Sequence, residues 1–391
     1  MRPPRRARPG PASASSTWAR KTLPSSVSGW MRQAVSTSEA WPRGIIAAGL
    51  CLTLAACSRG PAPRIEEFHI FGSLAEVEIR GAPPEQAQAA MADVSALLVR
   101  REGEWHAWQD SDVTRINAAF KAGLAAPAPA SVIDLVERSK PLSEASEGLF
   151  DPAVGGLVAA WGFHTSTYPV LTPPPSKDTL EQWRRQRPHI ADVQVRGDQL
   201  KSDNPRVQLD FGAIAEGAAT REILALLAGH GVQHALVTLG GDVVALGDGD
   251  GKPWQVALRD PFGGILGGVA LNGGEALFST GNYSKFRDSP SGTRWSHILD
   301  PRTGHPARGA AAVVVLHTDP MLADSGATAL FVAGPAGFER LVRRMGLACA
   351  MMVTEENEML VTLAMRKRLE LLREPVPLGQ PLDLGPGCVL P

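Results

Sequence analysis

No apolar run in the 391-residue chain reaches the ~20 residues a helix needs to cross a bilayer, which excludes a multi-span membrane protein. Charge of one sign is also missing: 39 Lys and Arg stand against 40 Asp and Glu, a formal net charge of −1 with His neutral. That balance excludes nucleic-acid binding by bulk charge, which needs a cationic surface. Cysteine is scarce, with 4 in the whole chain, too few for a disulfide framework at this length. No repeat of ~20–50 residues is present, so a solenoid or propeller is excluded as well. Apolar residues make up 44% and charged residues 20%, as in a globular protein with a sizeable core. Glycine (40) and proline (32) are plentiful, and much of the glycine sits in short separated clusters. That pattern predicts many tight turns between strands.

The first 43 residues are rich in Arg, Ser and Pro and carry no apolar periodicity. Arg43 then precedes an uncharged run, Gly44-Ile-Ile-Ala-Ala-Gly-Leu-Cys-Leu-Thr-Leu-Ala-Ala56, too short to span a membrane. It reads as the apolar region of a secretory signal. Leu54-Ala55-Ala56-Cys57 looks like a bacterial lipobox, in which the cysteine is acylated and becomes the first mature residue. A start at Met31 gives a signal of ordinary length, so residues 1–30 read as a gene-start artefact. The expected mature protein is lipid-anchored through Cys57 and faces the periplasm, at the inner membrane. Cys349 and Cys388 then remain, and their pairing is left open.

The body of the chain reads as mixed strands and helices. Alternation predicts a strand over 68–80, and helical spacing predicts helices over 83–101, 131–147 (interrupted or kinked at Pro141), 214–227, 321–332 and 336–345. Short strands are expected at 235–239, 243–246, 254–258, 269–271, 275–279 and 311–317, joined by Gly-Gly, Asp-Gly or Asn-Gly turns. A last hairpin is expected from 348–354 and 359–364. Residues 366–373 read as a solvated helix end. Strands outnumber helices and are mostly hairpin-connected, so the expected class is α+β, mostly antiparallel short strands with packed helices in one catalytic domain. The boundaries are a signal region at 1–56, a lipidated tether at 57–65, the domain at 66–366 with a surface insertion at 165–192, and a tail at 367–391.

Chemistry-bearing residues concentrate in a few segments. Asp324 and Thr328 are four apart on an expected helix, so carboxylate and hydroxyl share one face. Both are oxygen donors of the kind that a hard cation such as Mg²⁺ requires. Such a cation suits phosphoryl or pyrophosphate chemistry. Asp210-Phe-Gly-Ala-Ile-Ala-Glu-Gly217 reads as a strand end running into a helix, whose free amides make an anion site. His297, between Trp295 and Asp300-Pro301, is a candidate general acid–base. His69, His164, His189, His230, His234, His305 and His317 read as surface or core filler.

The order and spacing of these segments resemble the ApbE family of Mg²⁺-dependent FAD:protein FMN transferases. The shared pattern runs through Phe150-Asp-Pro-Ala-Val-Gly to Trp161-Gly-Phe163, Leu209-Asp-Phe-Gly-Ala-Ile-Ala-Glu-Gly217 and Gly240-Gly-Asp242. It continues through Ser279-Thr-Gly-Asn-Tyr283, His297-Ile-Leu-Asp-Pro-Arg-Thr-Gly304 and Asp324-Ser-Gly-Ala-Thr-Ala-Leu330. The resemblance covers roughly residues 68–364. It implies that Asp324, Thr328 and the carbonyl of Ala213 hold magnesium, and that Asp210, Glu216 and Ile298 contact FAD. It further implies that Phe150, Asp151 and Pro152 line the flavin site, that Trp108 lies beside the flavin, and that His297 is the acid–base residue. Glu216 stands where many members have Lys, Asn282 and Gly156 depart from the usual pattern, and Trp108 replaces a frequent Tyr. None of these changes removes an implied metal ligand.

The implied reaction joins FMN from FAD to a Thr or Ser hydroxyl of a partner flavoprotein and releases AMP. The acceptor would be a subunit of a membrane redox complex or a reductase domain, and no nucleic acid is involved. Two alternatives use the same residues: a Mg²⁺-dependent FAD pyrophosphatase giving FMN and AMP, and a non-catalytic FAD-binding lipoprotein. An intact set of Asp324, Thr328 and His297 favours an enzyme, because binding alone needs neither a metal nor a base.

Overall fold

The strand Ala310–His317 reads Ala-Ala-Ala-Val-Val-Val-Leu-His, and every residue in it is buried. A run that is apolar on both faces belongs inside a sheet covered on both sides. The computed structural model, which describes residues 62–288 and 294–388, places it there. The main sheet has nine strands, ordered Arg64–Ile70, Ser73–Arg80, His234–Leu239, Asp242–Leu246, Ala276–Gly281, Ala310–His317, Ala350–Thr354, Glu358–Val361 and Val376–Pro377. Neighbours are antiparallel except the last pair, which is parallel.

Alternation along the central strand divides the core. Val313 and Val315 pack with helix residues such as Ala327 and Phe331, while Val314 and Leu316 pack with Leu258, Val269 and Leu271. Helices Pro320–Met345 and Ala215–Gly229 therefore belong to one core. A three-stranded sheet of Trp254–Arg259, Ile265–Leu271 and Leu369–Leu371 supplies the other. Helix Pro84–Trp105 packs Met91, Val94 and Leu98 with Ile223 and Leu227 over the Ser73–Arg80 end of the sheet. This is the expected α+β arrangement. Among the described residues no helix is long and apolar enough to cross a membrane. Cys57 and the signal-like run before it lie outside the described residues.

Several expectations need correction. The stretch 68–80 is not one strand but the hairpin Arg64–Ile70 and Ser73–Arg80, turning at Phe71 and Gly72, whose φ values are 52° and 69°. Its alternation carries on across the turn and hides it. The chain is thus already in the sheet at Arg64, inside the stretch expected to be a tether. Helix Ala130–Ala145 passes through Pro141 without interruption. Helix Asp112–Lys121, begun by a reciprocal Ser111–Thr114 cap, was not expected. Helix Pro320–Met345 does break as expected, at Gly334 with φ 63°.

The insertion, expected within the domain, also contributes to its core, and the tail is part of the domain as well. Within 165–192, helix Lys177–Arg185 buries Leu180 and Trp183 against Leu157, Trp161 and Leu299. Trp183 also donates its indole N–H to the Pro301 carbonyl at 2.9 Å. Past residue 366, Leu369–Leu371 pairs with Ile265–Leu271, and Val376–Pro377 joins the main sheet. Cys388 is disulfide-bonded to Cys349. These strands are too short to show a period, which is why the sequence reads as a charged end and a tail.

Candidate active site

Helix N-termini and strand ends surround one cavity of about 890 Å³. Asp210, Ala213, Glu216, His297, Asp324 and Thr328 all line it. Trp108, Phe150, Asp151, Pro152 and Ile298 complete its walls. Every expected site residue within the described chain therefore comes to one place.

Glycine builds the corner around Asp324. Gly217, in the first turn of helix Ala215–Gly229, touches the start of helix Pro320–Met345. A Cβ on Gly217 would lie 2.6 Å from the Pro320 carbonyl oxygen. Because the helices meet so closely, the Gly217 N–H reaches across to Asp324 Oδ2 at 2.9 Å. A continued helix would have sent that N–H back to the Ala213 carbonyl. The Ala213 carbonyl is the acceptor of no backbone hydrogen bond among the described residues. Gly240, in the two-residue Gly-Gly hairpin before Asp242, lies against the Glu216 carboxylate; a Cβ there would sit 2.5 Å from Oε2. Its φ of 63° also suits glycine.

The corner is electrostatically short of positive charge. Burial, then the nearby Glu216, pushes the Asp324 carboxyl well above the usual carboxylate range. Burial pushes Asp242 up too, with Glu216 and Asp324 adding to it, while the N–H of Ser279 donates to Asp242 Oδ1 at 2.7 Å. Glu216 is raised by burial, and Lys285 works against that rise. The Thr328 hydroxyl lies 3.4 Å from the Thr280 hydroxyl. Among the described residues no group of ≥ 3 His, Cys, Asp or Glu side chains is arranged to hold a metal. Asp324, the Thr328 hydroxyl and the free Ala213 carbonyl are oxygen donors on the same cavity, a set that fits a hard divalent cation.

His297 sits half-buried at the end of the short strand Arg294–Ser296. Its Nδ1 is 3.1 Å from the Lys285 carbonyl. A carbonyl can only accept, so Nδ1 carries the proton and Nε2 keeps its lone pair. Burial, and then the Lys285 charge, lowers the ring's pKa to about 4, against the opposing pull of that hydrogen bond and of Asp210. The imidazole is therefore a neutral proton acceptor at ordinary pH.

Asp210 accepts from the Gly212 N–H at 3.0 Å and pairs with His164 Nε2 at 3.1 Å. Burial tends to raise its pKa, but the His164 contact and the Gly212 amide outweigh that and lower it. Trp108 lies over the His164 ring, with centroids 6.3 Å apart and planes 18° apart, and is itself 37% exposed. Pro152 contributes its carbonyl, which takes the Asp210 N–H at 2.8 Å. Asp151 is different. It is on the cavity wall, but its carboxylate serves the scaffold: Oδ1 accepts from the N–H groups of Ala153 and Ile190, both at 2.9 Å, and Oδ2 lies 3.3 Å from His189. The Asp300-Pro-Arg-Thr-Gly304 loop is also scaffold. Its Gly304 carbonyl takes the Trp161 indole N–H at 2.7 Å, which ties the Trp161-Gly-Phe163 segment beside His297.

Three cavity residues were missed as site residues: His164, Asp242 and Lys285. His164 follows Phe163 directly and Lys285 is two residues past Tyr283, so both adjoin a marked segment, while Asp242 lies inside one, the Gly240-Gly-Asp242 turn, and was read there only as part of the turn.

The fold is shared with solved flavin transferases. A crystal structure of the Pseudomonas stutzeri flavinyl transferase ApbE, apo form, superposes with a TM-score of 0.68 at 30% identity, covering 78% of this chain and 97% of that one. The sequence profile of the ApbE family matches residues 71–351. A FAD:protein FMN transferase of Rhodobacter capsulatus is 41% identical over 341 residues, 87% of this chain and 64% of its own length. Another of the same name, from Klebsiella pneumoniae (strain 342), is 30% identical, covering 78% of this chain and 91% of its own length. The chain belongs to the ApbE family, a family of transferases whose curated relatives here carry the name FAD:protein FMN transferase.

Proposed function

We propose that this chain is a Mg²⁺-dependent FAD:protein FMN transferase, anchored outside the cytoplasm through a lipid on Cys57. The observation that carries the reading is the convergence of His297, Asp210, Glu216, Asp324, Thr328 and Ala213 on one cavity. FAD is the substrate, and a Thr or Ser side chain of a partner flavoprotein is the acceptor. The hydroxyl oxygen attacks the FMN-side phosphorus, the bond from that phosphorus to the bridging oxygen breaks, and AMP leaves with that oxygen. The hydroxyl proton goes to Nε2 of His297, whose tautomer is set by the Lys285 carbonyl. Asp324, Thr328 and Ala213 would hold Mg²⁺, which when bound withdraws charge from the diphosphate. Asp210, kept ionised by Gly212 and His164, orients the substrate through its polar groups. The Cys349–Cys388 disulfide fits an oxidising compartment and so supports the location.

The test is to incubate the protein lacking residues 1–57 with FAD, Mg²⁺ and candidate acceptors, and to read the acceptor's mass. An FMN-sized gain with equimolar AMP supports the reading. Free FMN in place of an adduct, whatever the acceptor, would reassign the site to FAD pyrophosphatase. FAD bound without turnover would make the protein a binder.

A further inference from the structure

We propose that Lys285 is the phosphate-binding cation of this site, holding the substrate diphosphate in the cavity it shares with Asp324 and offsetting negative charge as AMP departs. The inference rests on the flavin-transferase reading above and adds to it a residue that neither the metal set nor the base includes.

The cavity has a charge problem. Asp210, Glu216, Asp242 and Asp324 all line it, and burial and then their crowding already push Asp242 and Asp324 well above the usual carboxylate range. The proposed substrate brings a further pair of negative charges, so a cation on the cavity wall lowers the cost of admitting it. Arg259 also reaches the cavity, but it is exposed to solvent and its guanidinium stands over the Tyr283 ring, 4.5 Å from the centroid. Lys285 is half-buried on the wall and has no carboxylate within ion-pair distance among the described residues. A half-buried ammonium without a protein counter-ion, beside a cavity meant for a dianion, is placed for a ligand.

The backbone fixes where this residue stands. The Lys285 carbonyl accepts from both the N–H and the Nδ1–H of His297, each at 3.1 Å. Main chain and side chain thus address adjacent points of the reaction: the carbonyl orients the base, and the ammonium shares its cavity. His297, Glu216 and Asp210 line the same cavity, and the Lys285 charge favours the neutral form of His297 and the ionised forms of the two carboxylates.

The test compares wild type, Lys285→Gln and Lys285→Arg for binding of FAD, ADP and riboflavin, by calorimetry or flavin fluorescence. FAD and ADP carry the diphosphate and riboflavin does not. A charge-assisted contact of this kind corresponds to about 10–100-fold in affinity. Lys285→Gln should weaken FAD and ADP by that factor, leave riboflavin within about twofold, and flatten the salt dependence of FAD binding. Lys285→Arg should restore most of the loss. Equal loss of all three ligands would show that Lys285 only supports the His297 strand, and would overturn the proposal. So would FAD affinity in Lys285→Gln within about twofold of wild type. A wild-type protein that binds no FAD overturns the functional reading together with this one, whereas failure in the variant alone overturns only the role of Lys285.

Discussion

Substituting Gly217 by Ala adds one methyl group and sets two physical effects against each other. Helix propensity favours the change, since Ala exceeds Gly by about 1 kcal/mol in a helix interior. Packing opposes it. The new Cβ would stand 2.6 Å from the Pro320 oxygen and 2.9 Å from Met321 Cα, and both are backbone atoms that no rotamer change can move. Ordinary contact requires helices Ala215–Gly229 and Pro320–Met345 to part by roughly 0.8 Å. That movement stretches the Gly217 N–H to Asp324 contact, now 2.9 Å, beyond hydrogen-bond range. Overpacking costs about 1–3 kcal/mol, and a lost bond to a buried carboxylate about 1.5–3 kcal/mol. Against the propensity gain, the net is a destabilisation of about 1.5–5 kcal/mol, or a fall in Tm of several degrees. The same displacement shifts Asp324 relative to Ala213, so Mg²⁺ should bind more weakly than the stability loss alone explains.

Gly229→Ala is the control, because it is the same chemical change on the same helix with nothing within 4 Å of the added atom. It should be neutral or slightly stabilising, within about 0.5 kcal/mol. Thermal melts followed by circular dichroism, with and without Mg²⁺, separate the outcomes. A Gly217→Ala protein that melts at or above wild type would refute the argument. It would mean that the helices tolerate the methyl group and that the cation corner does not depend on their close approach.

His297→Ala should keep FAD affinity and lose about 10²–10⁴-fold in transfer, read as mass gain on the acceptor; equal loss of both would make the ring a packing element. Because the His297 pKa is lowered to about 4, its accepting form is lost only as pH falls through that value, so kcat/KM should hold its level down to about pH 5. A limb centred near 6.5 would place the essential base elsewhere, and Lys285→Gln should move the true limb upward by removing a nearby positive charge. Cys388→Ser opens a loop closed across 39 residues, which costs at most about 4 kcal/mol by chain entropy. Its Tm should fall, and dithiothreitol should lower wild type but not the variant. Cys57→Ser should release the protein from membranes or block its processing, and a mature N-terminus mapped anywhere but acylated Cys57 would sink the lipobox reading.

What could be read from the sequence follows the range over which each feature acts. Asp324 and Thr328 share a face by helix geometry alone, so their spacing already states the juxtaposition. The central strand announces itself through an unbroken apolar run, and the break at Gly334-Pro335 through its residue types. The hairpin Arg64–Ile70 with Ser73–Arg80 escapes because alternation does not register a turn at Phe71-Gly72. The tail escapes because pairings as short as Val376–Pro377 carry no period at all.

The active site divides along the same line. Residues whose own segment suggests their chemistry were marked, and residues that gain a role only by meeting a distant partner were not, even inside a marked segment. His164 looks like filler until folding brings it to Asp210, 46 positions away. Asp242 looks like a turn residue until the sheet brings it to Ser279, 37 positions on. Asp151 shows the reverse error: it lies in a segment marked for the flavin, yet its carboxylate is consumed by Ala153, Ile190 and His189. A motif therefore marks where a cavity will form, while hydrogen-bond accounting decides which of its side chains remain free to act. By that accounting the Ala213 carbonyl, Nε2 of His297 and the ammonium of Lys285 are left uncommitted, which is why the proposed metal contact, base and phosphate clamp fall to them.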